Sequence, residues 1–211
     1  MIVPGALPEP DADPEPGREP EPDPDPDPGQ LSGASPGAAV PTMQAGDQTH
    51  LRSVFREFAS GVTVVSTRAG GMLHAMTANA FCSVSLDPPQ VLVCVAHSAR
   101  FHTAITESGL WTVSILSADQ DELATRFATP GRDLARQFDD VDHVVGGRTD
   151  AALLTGARAW LECRTAQAVV AGDHTIVVGD VLGCDVNAIP QAPLTYHRGG
   201  YVLPSRARPL T

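Results

Sequence analysis

Three short segments of this 211-residue chain are richer in small and polar residues than their apolar surroundings. The first is Met76-Thr77-Ala78-Asn79-Ala80, with Ser83 and Ser85 shortly after. Small side chains let backbone approach a flat ligand closely. Thr and Asn offer both donors and acceptors, which suits the polar edge of a heterocycle. A turn rich in side-chain-to-backbone bonds explains the same pattern and is the plainer account. The second is Ala96-His97-Ser98-Ala99-Arg100, between an apolar run and a helical pattern. Free N–H groups and positive dipole at a helix start, completed by Ser98 and Arg100, would cradle a phosphate. An ordinary cap by Ser98 beside a solvated Arg100 fits equally well. The third pairs Gly172-Asp173-His174-Thr175 with Tyr196-His197-Arg198-Gly199-Gly200. A histidine at a hairpin tip is by default a polar surface residue. The seven histidines show no metal-like spacing.

These segments need a frame. Leu51, Val54, Phe55 and Phe58 recur at helical spacing, with Asp47 as a cap and Gly61 as the stop. The period then changes. Val62–Thr67 is β-branched, and Ala69-Gly70-Gly71 reads as a turn. Phe81–Leu86 alternates until Asp87-Pro88-Pro89 breaks it. Val91–Val95 is apolar throughout, as expected of a strand buried on both faces. Arg100–Glu107 predicts a helix closed by Gly109, Trp111–Leu116 a strand, and Asp119–Phe127 a helix with Leu123 and Phe127 on one side. Around 130–152 the glycines suggest loops about a short helix near Leu134. Ala157–Val170 and Ile176–Val186 predict long strands joined at Gly172-Asp173, and Gly199–Leu203 a last short one. Six or seven clustered strands and about three helices argue for a mainly β antiparallel barrel with helices at its rim, not an alternating α/β sheet.

Residues 1–42 hold 12 of the 19 prolines and nine acids against Arg18 alone, so they carry −8 of the net −11. Proline lacks an N–H and clashes with a preceding helical turn, and this stretch has almost no apolar side chains to bury. It is expected to be a disordered acidic tail before a domain over 43–211, with Met43 as a candidate start. The low pI therefore says little about a site. No lysine occurs, and no basic patch with interleaved aromatics supports nucleic-acid binding. No apolar run has membrane-spanning length, and no secretory signal opens the chain. Cys82, Cys94, Cys163 and Cys184 lie in separate apolar runs without a CxxC pair, which predicts core thiols in a reducing, cytoplasmic setting. Internal repeats, GxGxxG, Walker A and GxSxG patterns do not occur.

The segments FREFASGVTVVST, MTANAFCSVSLDPPQVLVCV, GARAWLECR, AGDHTIVVGDV and PLTYHRGGY, in that order, resemble the flavin reductase-like domain family over about residues 49 to 203. The resemblance implies an FMN-binding type of split β-barrel and a homodimer with flavin in a cleft near the subunit interface. It implies FMN or FAD reduced by NADH or NADPH, and transfer of reduced flavin to a separate oxygenase. Met76, Thr77, Ala78, Asn79 and Ala80 match a flavin-lining turn; Ser83 and Val84 match ring and ribityl contacts. Ala96, His97, Ser98 and Arg100 match a phosphate-binding stretch. Phe127 falls where the family closes over flavin. His174 matches a histidine linked with nicotinamide binding and is the candidate catalytic residue, and Tyr196, His197 and Arg198 match a segment near the nicotinamide. Ala75, Ala80 and Phe101 depart from the family's usual Gly, Ser and small hydroxyl residue. The last departure bears on flavin affinity and on the choice between FMN and FAD. Two alternatives stay open: a flavin-binding module without turnover, and an FMN oxidase on a related barrel.

Overall fold

The computed structural model describes residues 48–188 and 191–202. The expected tail over 1–42, Met43 and the Asp47 cap lie outside them. The described residues begin with α1 (Gln48–Phe55), β1 (Ser60–Gly61), β2 (Thr63–Ala69), β3 (Met72–Ala78), β4 (Phe81–Leu86) and β5 (Pro89–Ala96). Then come α2 (Arg100–Ser108), β6 (Leu110–Ile115), α3 (Asp121–Ala128), β7 (His143–Val145) and β8 (Ala152–Leu154). The long hairpin of β9 (Ala159–Ala171) and β10 (His174–Val186) follows, and β11 (Thr195–His197) and β12 (Gly200–Val202) close the series. Short strands that periodicity does not resolve raise the number above the six or seven expected. No helix forms near Leu134; that stretch is a succession of turns before β7.

Seven strands form one antiparallel sheet in the order β3-β2-β6-β9-β10-β5-β4. A small sheet, β1-β11-β12, and the pair β7-β8 lie beside it. Gly172 turns the β9–β10 hairpin at φ +60°, and Gly109 ends α2 at φ +65°, where its N–H reaches the Ile105 carbonyl. Both angles are open to glycine because it has no Cβ.

The core has two parts. One gathers Val65, Val93, Ile105, Trp111, Val113 and Cys163 beneath α2. The other gathers Val64, Ala75, Leu116, Phe127, Leu154 and Leu194 beneath α3. In α3 the buried residues are Ala124 and Phe127, with Leu123 packed beside them. Buried hydroxyls pin β8 across the sheet: the Ser66 hydroxyl accepts from the Ala152 N–H at 2.8 Å, and Thr112 Oγ1 donates to the Ala152 carbonyl at 2.6 Å.

Three expectations about burial change. The apolar stripe of the first helix stays largely exposed. No residue of α1 is buried, Phe55 is 65% exposed, and Phe58 lies beyond the helix at 80% exposed. Gly61 is a strand residue rather than the helix stop. Strand β5 alternates, with Val91, Val93 and Val95 buried and Leu92 and Cys94 half-buried. Its Val91, Val93 and Val95 face packs into the core cluster, and the Leu92 and Cys94 face is left half-open. Of the four free thiols only Cys163 is buried; Cys82 and Cys184 are exposed and Cys94 is intermediate.

Burial pushes the Cys163 thiol up to about 12. The fold therefore holds it neutral where an unfolded chain ionises, and the unfolded state loses its proton first as pH rises. Stability present below the ordinary thiol range drains away between about pH 9 and 12, at about 1.4 kcal/mol per unit. From pH 9 to 10.5 the wild type should lose about 2 kcal/mol more than Cys163→Ala in urea titrations. Parallel curves for the two proteins would exclude this linkage.

Candidate functional site

Among the described strands, β3 ends the large sheet and pairs only with β2. Backbone groups along a strand alternate in direction, so every second residue of an end strand turns its N–H and C=O outward. Here those residues are Leu73, Ala75 and Thr77. The Leu73 carbonyl accepts from Gln137 Nε2 at 2.8 Å, and the Ala75 carbonyl accepts from Arg132 Nη2. The same alternation turns the Thr77 backbone outward. The Thr77 side chain ties the strand to α3, donating from Oγ1 to the Ala124 carbonyl at 2.6 Å. Met76, Thr77 and Ala78 are thus the end of an edge strand, not the expected turn; the bend comes at Asn79. The turn signal misled because short polar residues serve a strand end equally well.

This edge faces the start of α2 and the loop after α3 across a cavity of about 590 Å³. Met76, Thr77, Ser98, Arg100 and Phe127 all line it. The wall also holds Arg132, His74 and Thr129, and among the described residues contains no Asp or Glu. Ala99, not Ser98, is the N-cap of α2, and no side chain caps the helix. The Ser98 hydroxyl is left to the cavity. Arg100 is not simply solvated either, because its Nη2 donates to the Arg132 carbonyl at 2.8 Å.

Arg132 went unnoticed in the sequence because no periodicity marks its loop. Its Nη1 donates to the Thr129 carbonyl at 3.0 Å and its Nε to Gln137 Oε1 at 3.2 Å. Its guanidinium carbon lies 5.7 Å from the centre of the Phe127 ring. Burial, and then the positive charge of Arg100, lower its pKa. Every acceptor it meets is neutral, so its charge has no ionic partner among the described residues.

The other candidates lie off this wall. Ala78 is buried below it, while Asn79, Ala80, Ser83 and Val84 are exposed. A register shift between Ser83 and Ser85 sets Val84 out of the β4–β5 ladder. Ala96 pairs with His174 at the hairpin tip. The His97 N–H donates to the Asp173 carbonyl at 2.9 Å, which couples the tip to the segment entering α2. The His97 ring turns away from the cavity. Its Nε2 is 3.1 Å from Thr175 Oγ1, which also lies 2.8 Å from His102 Nε2. At the tip itself, His174 Nδ1 is 2.7 Å from Asp173 Oδ1. The Asp173 carboxyl is held below its ordinary value by that histidine.

Tyr196 and His197 belong to β11, where Tyr196 pairs with Ser60 and its ring meets Tyr201 edge-on. Arg198, at φ +51°, forks onto Glu57, with Nη2 at 2.7 Å from Oε2. That contact holds the exposed Glu57 carboxyl below its ordinary range and the Arg198 guanidinium above its own.

Comparison with known proteins agrees with this architecture. The flavin reductase-like domain model matches residues 55–203. An NADH-dependent FAD reductase from Streptomyces globisporus is 46% identical over 140 residues, covering 64% of this chain and 75% of its own. An NADH:riboflavin 5'-phosphate oxidoreductase from Streptomyces pristinaespiralis is 35% identical over 174 residues, 82% of this chain and 97% of its own. Among solved structures, the flavin reductase component of a bacterial two-component tryptophan halogenase superposes with a TM-score of 0.71 at 44% identity, covering 76% of this chain and 100% of its own. The S. globisporus NADH:FAD oxidoreductase, solved with NAD and FAD fragments, gives 0.72 at 37% identity, covering 81% of this chain and 98% of its own. The mainly β class and split-barrel architecture expected from the sequence therefore hold. With a family model spanning most of the described residues and relatives aligned along the same barrel, the chain belongs to the flavin reductase-like domain family.

Proposed function

We propose that this protein is an NADH-dependent flavin reductase that reduces FMN or FAD and releases it to a separate oxygenase. One observation carries the reading. A cavity walled by a sheet edge, a helix start and two guanidinium groups, with no carboxylate among the described residues, suits a flat heterocycle joined to a phosphate. When bound, the flavin supplies N5 as the hydride acceptor for C4 of the reduced nicotinamide.

The chain's own residues supply position and field. The outward Thr77 backbone offers a donor and an acceptor to the ring's polar edge. Phe127, 1% exposed, makes an apolar wall that excludes water. Ser98, Arg100 and the first N–H groups of α2 receive the phosphate. Ala78, Asn79, Ala80, Ser83 and Val84 continue from the ring edge along the β3–β4 connection, and serve if the ligand extends beyond the cavity. His174 receives the nicotinamide dinucleotide: if its Nδ1–H donates to Asp173, its Nε2 is left to accept from the ligand. Tyr196, His197 and Arg198 would serve the same ligand from β11.

Partners follow the same reading. Relatives include the reductase components of a nitrophenol monooxygenase from Rhodococcus opacus and a trigonelline monooxygenase from Acinetobacter baylyi. A homodimer would cover apolar side chains left open on the single chain, such as Phe55, Leu86 at 93% exposed and Val170 at 74%. No helix among the described residues is long and apolar enough to cross a membrane. A cytoplasmic location would give access to NADH.

Oxidation of NADH or NADPH, with and without added FMN or FAD, tests the reaction. Turnover that rises with added flavin is expected. Flavin binding without nicotinamide oxidation would leave a binding module instead. His174→Ala should raise the KM for NADH roughly two- to tenfold, the worth of one hydrogen bond, with flavin KM unchanged. An unchanged NADH KM and kcat would remove His174 from the site.

A further inference from the structure

Arg132 has unspent binding capacity. A guanidinium carries five N–H donors. Three of them reach the Ala75 carbonyl, the Thr129 carbonyl and Gln137 Oε1. That leaves two, one on each terminal nitrogen, with no acceptor among the described residues. The same three bonds and the Phe127 ring hold the group in place, so it loses little freedom on meeting a ligand. Arg100, which carries the same positive charge, reaches across to the Arg132 carbonyl on the same wall. Two cations on one wall, with no acid among the described residues that line it, repel each other until an anion arrives.

We propose that Arg132 is a specificity-determining residue that binds the phosphoryl group of the flavin together with Arg100, and so selects phosphorylated flavins over riboflavin. The ligand is a flavin phosphate rather than the nicotinamide dinucleotide. Arg132 shares its cavity with Met76, Thr77 and Phe127, whereas His174 and Tyr196–Arg198 lie off that wall. Lysine would keep the charge but lose the fork and two of the three bonds that hold it. The inference rests on the flavin reductase reading of this cavity.

The test is flavin binding by the purified full chain, using riboflavin, FMN and FAD separately against wild type, Arg132→Met and Arg132→Lys. Arg132→Met should weaken FMN and FAD by at least about tenfold and leave riboflavin unchanged, with Arg132→Lys between. Loss shared by FMN and FAD assigns Arg132 to the phosphate both carry; loss for FAD alone assigns it to the second phosphate. The first outcome sustains the proposal; the second overturns it, because FMN would then bind no better than riboflavin through Arg132. Equal weakening of all three flavins would show that Arg132 only shapes its loop, and no weakening would show that it binds nothing; both overturn it. Should the wild type bind no flavin, the functional reading fails, and inorganic pyrophosphate becomes the probe. A pyrophosphate-induced rise in Tm that Arg132→Met abolishes would keep the anion site without the flavin. No such rise would overturn the site as well.

Discussion

Trp111→Ala should lower the stability of the barrel by about 3–5 kcal/mol, the range for emptying a large aromatic site in a core. Trp111 is fully buried on β6, its partner across β9 is Cys163, and its Nε1 donates to Thr165 Oγ1 at 3.1 Å. The ring lies over Gly179 of β10. A Cβ at that glycine would sit 2.4 Å from Trp111 Cζ2 and 3.2 Å from Cys163 Cβ. Real atoms do not approach so closely, so the indole and the missing side chain are one packing unit. Gly179→Ala should therefore cost about 1–3 kcal/mol by overpacking. The double variant should cost less than the sum by about 1 kcal/mol, because the emptied indole site admits the new methyl. Urea unfolding of the four proteins measures this. Strict additivity would mean that the two sites do not share a volume.

For catalysis, Arg100→Gln should have a large effect and a specific form. The KM for FMN should rise roughly 10- to 100-fold, corresponding to about 1.5–3 kcal/mol for hydrogen bonds from a charged group. A phosphate far from the reacting ring is held equally in ground and transition states, so kcat at saturating flavin should change little. Salt should raise the wild-type KM more steeply than the variant's, because screening acts on the charge that was removed. A fall in kcat with unchanged KM would place Arg100 at the chemistry instead of the phosphate. Some of the loss would arise through the loop, since Arg100 also holds the Arg132 carbonyl. Riboflavin, which has no phosphate, separates the two effects.

The sequence determined what is local. Strand periods at Val62–Thr67 and Trp111–Leu116, the glycine that closes α2 and the turn at Gly172 are readable because each follows from a few neighbouring residues. The small polar residues at Met76–Thr77 and the Ser98–Arg100 helix entry were visible for the same reason, and five of the candidate residues do line one cavity. Only the tertiary structure decided the rest. That β3 is an end strand depends on no other described strand pairing with its outer edge, and nothing in Met72–Ala78 encodes that. The apolar run Val91–Val95 gives no sign of which face meets the core; the packing of Val91, Val93 and Val95 against residues from other strands and α2 settles that. The helix α1 is amphipathic in sequence but none of its residues is buried, because periodicity marks an apolar face without naming what packs on it. Arg132 is the extreme case. Its loop has no period, its three acceptors come from β3, α3's end and a later turn, and its relation to Arg100 spans 32 residues. A charged side chain in an irregular segment acquires its meaning from the surfaces it is folded against, and those are contributed by distant parts of the chain.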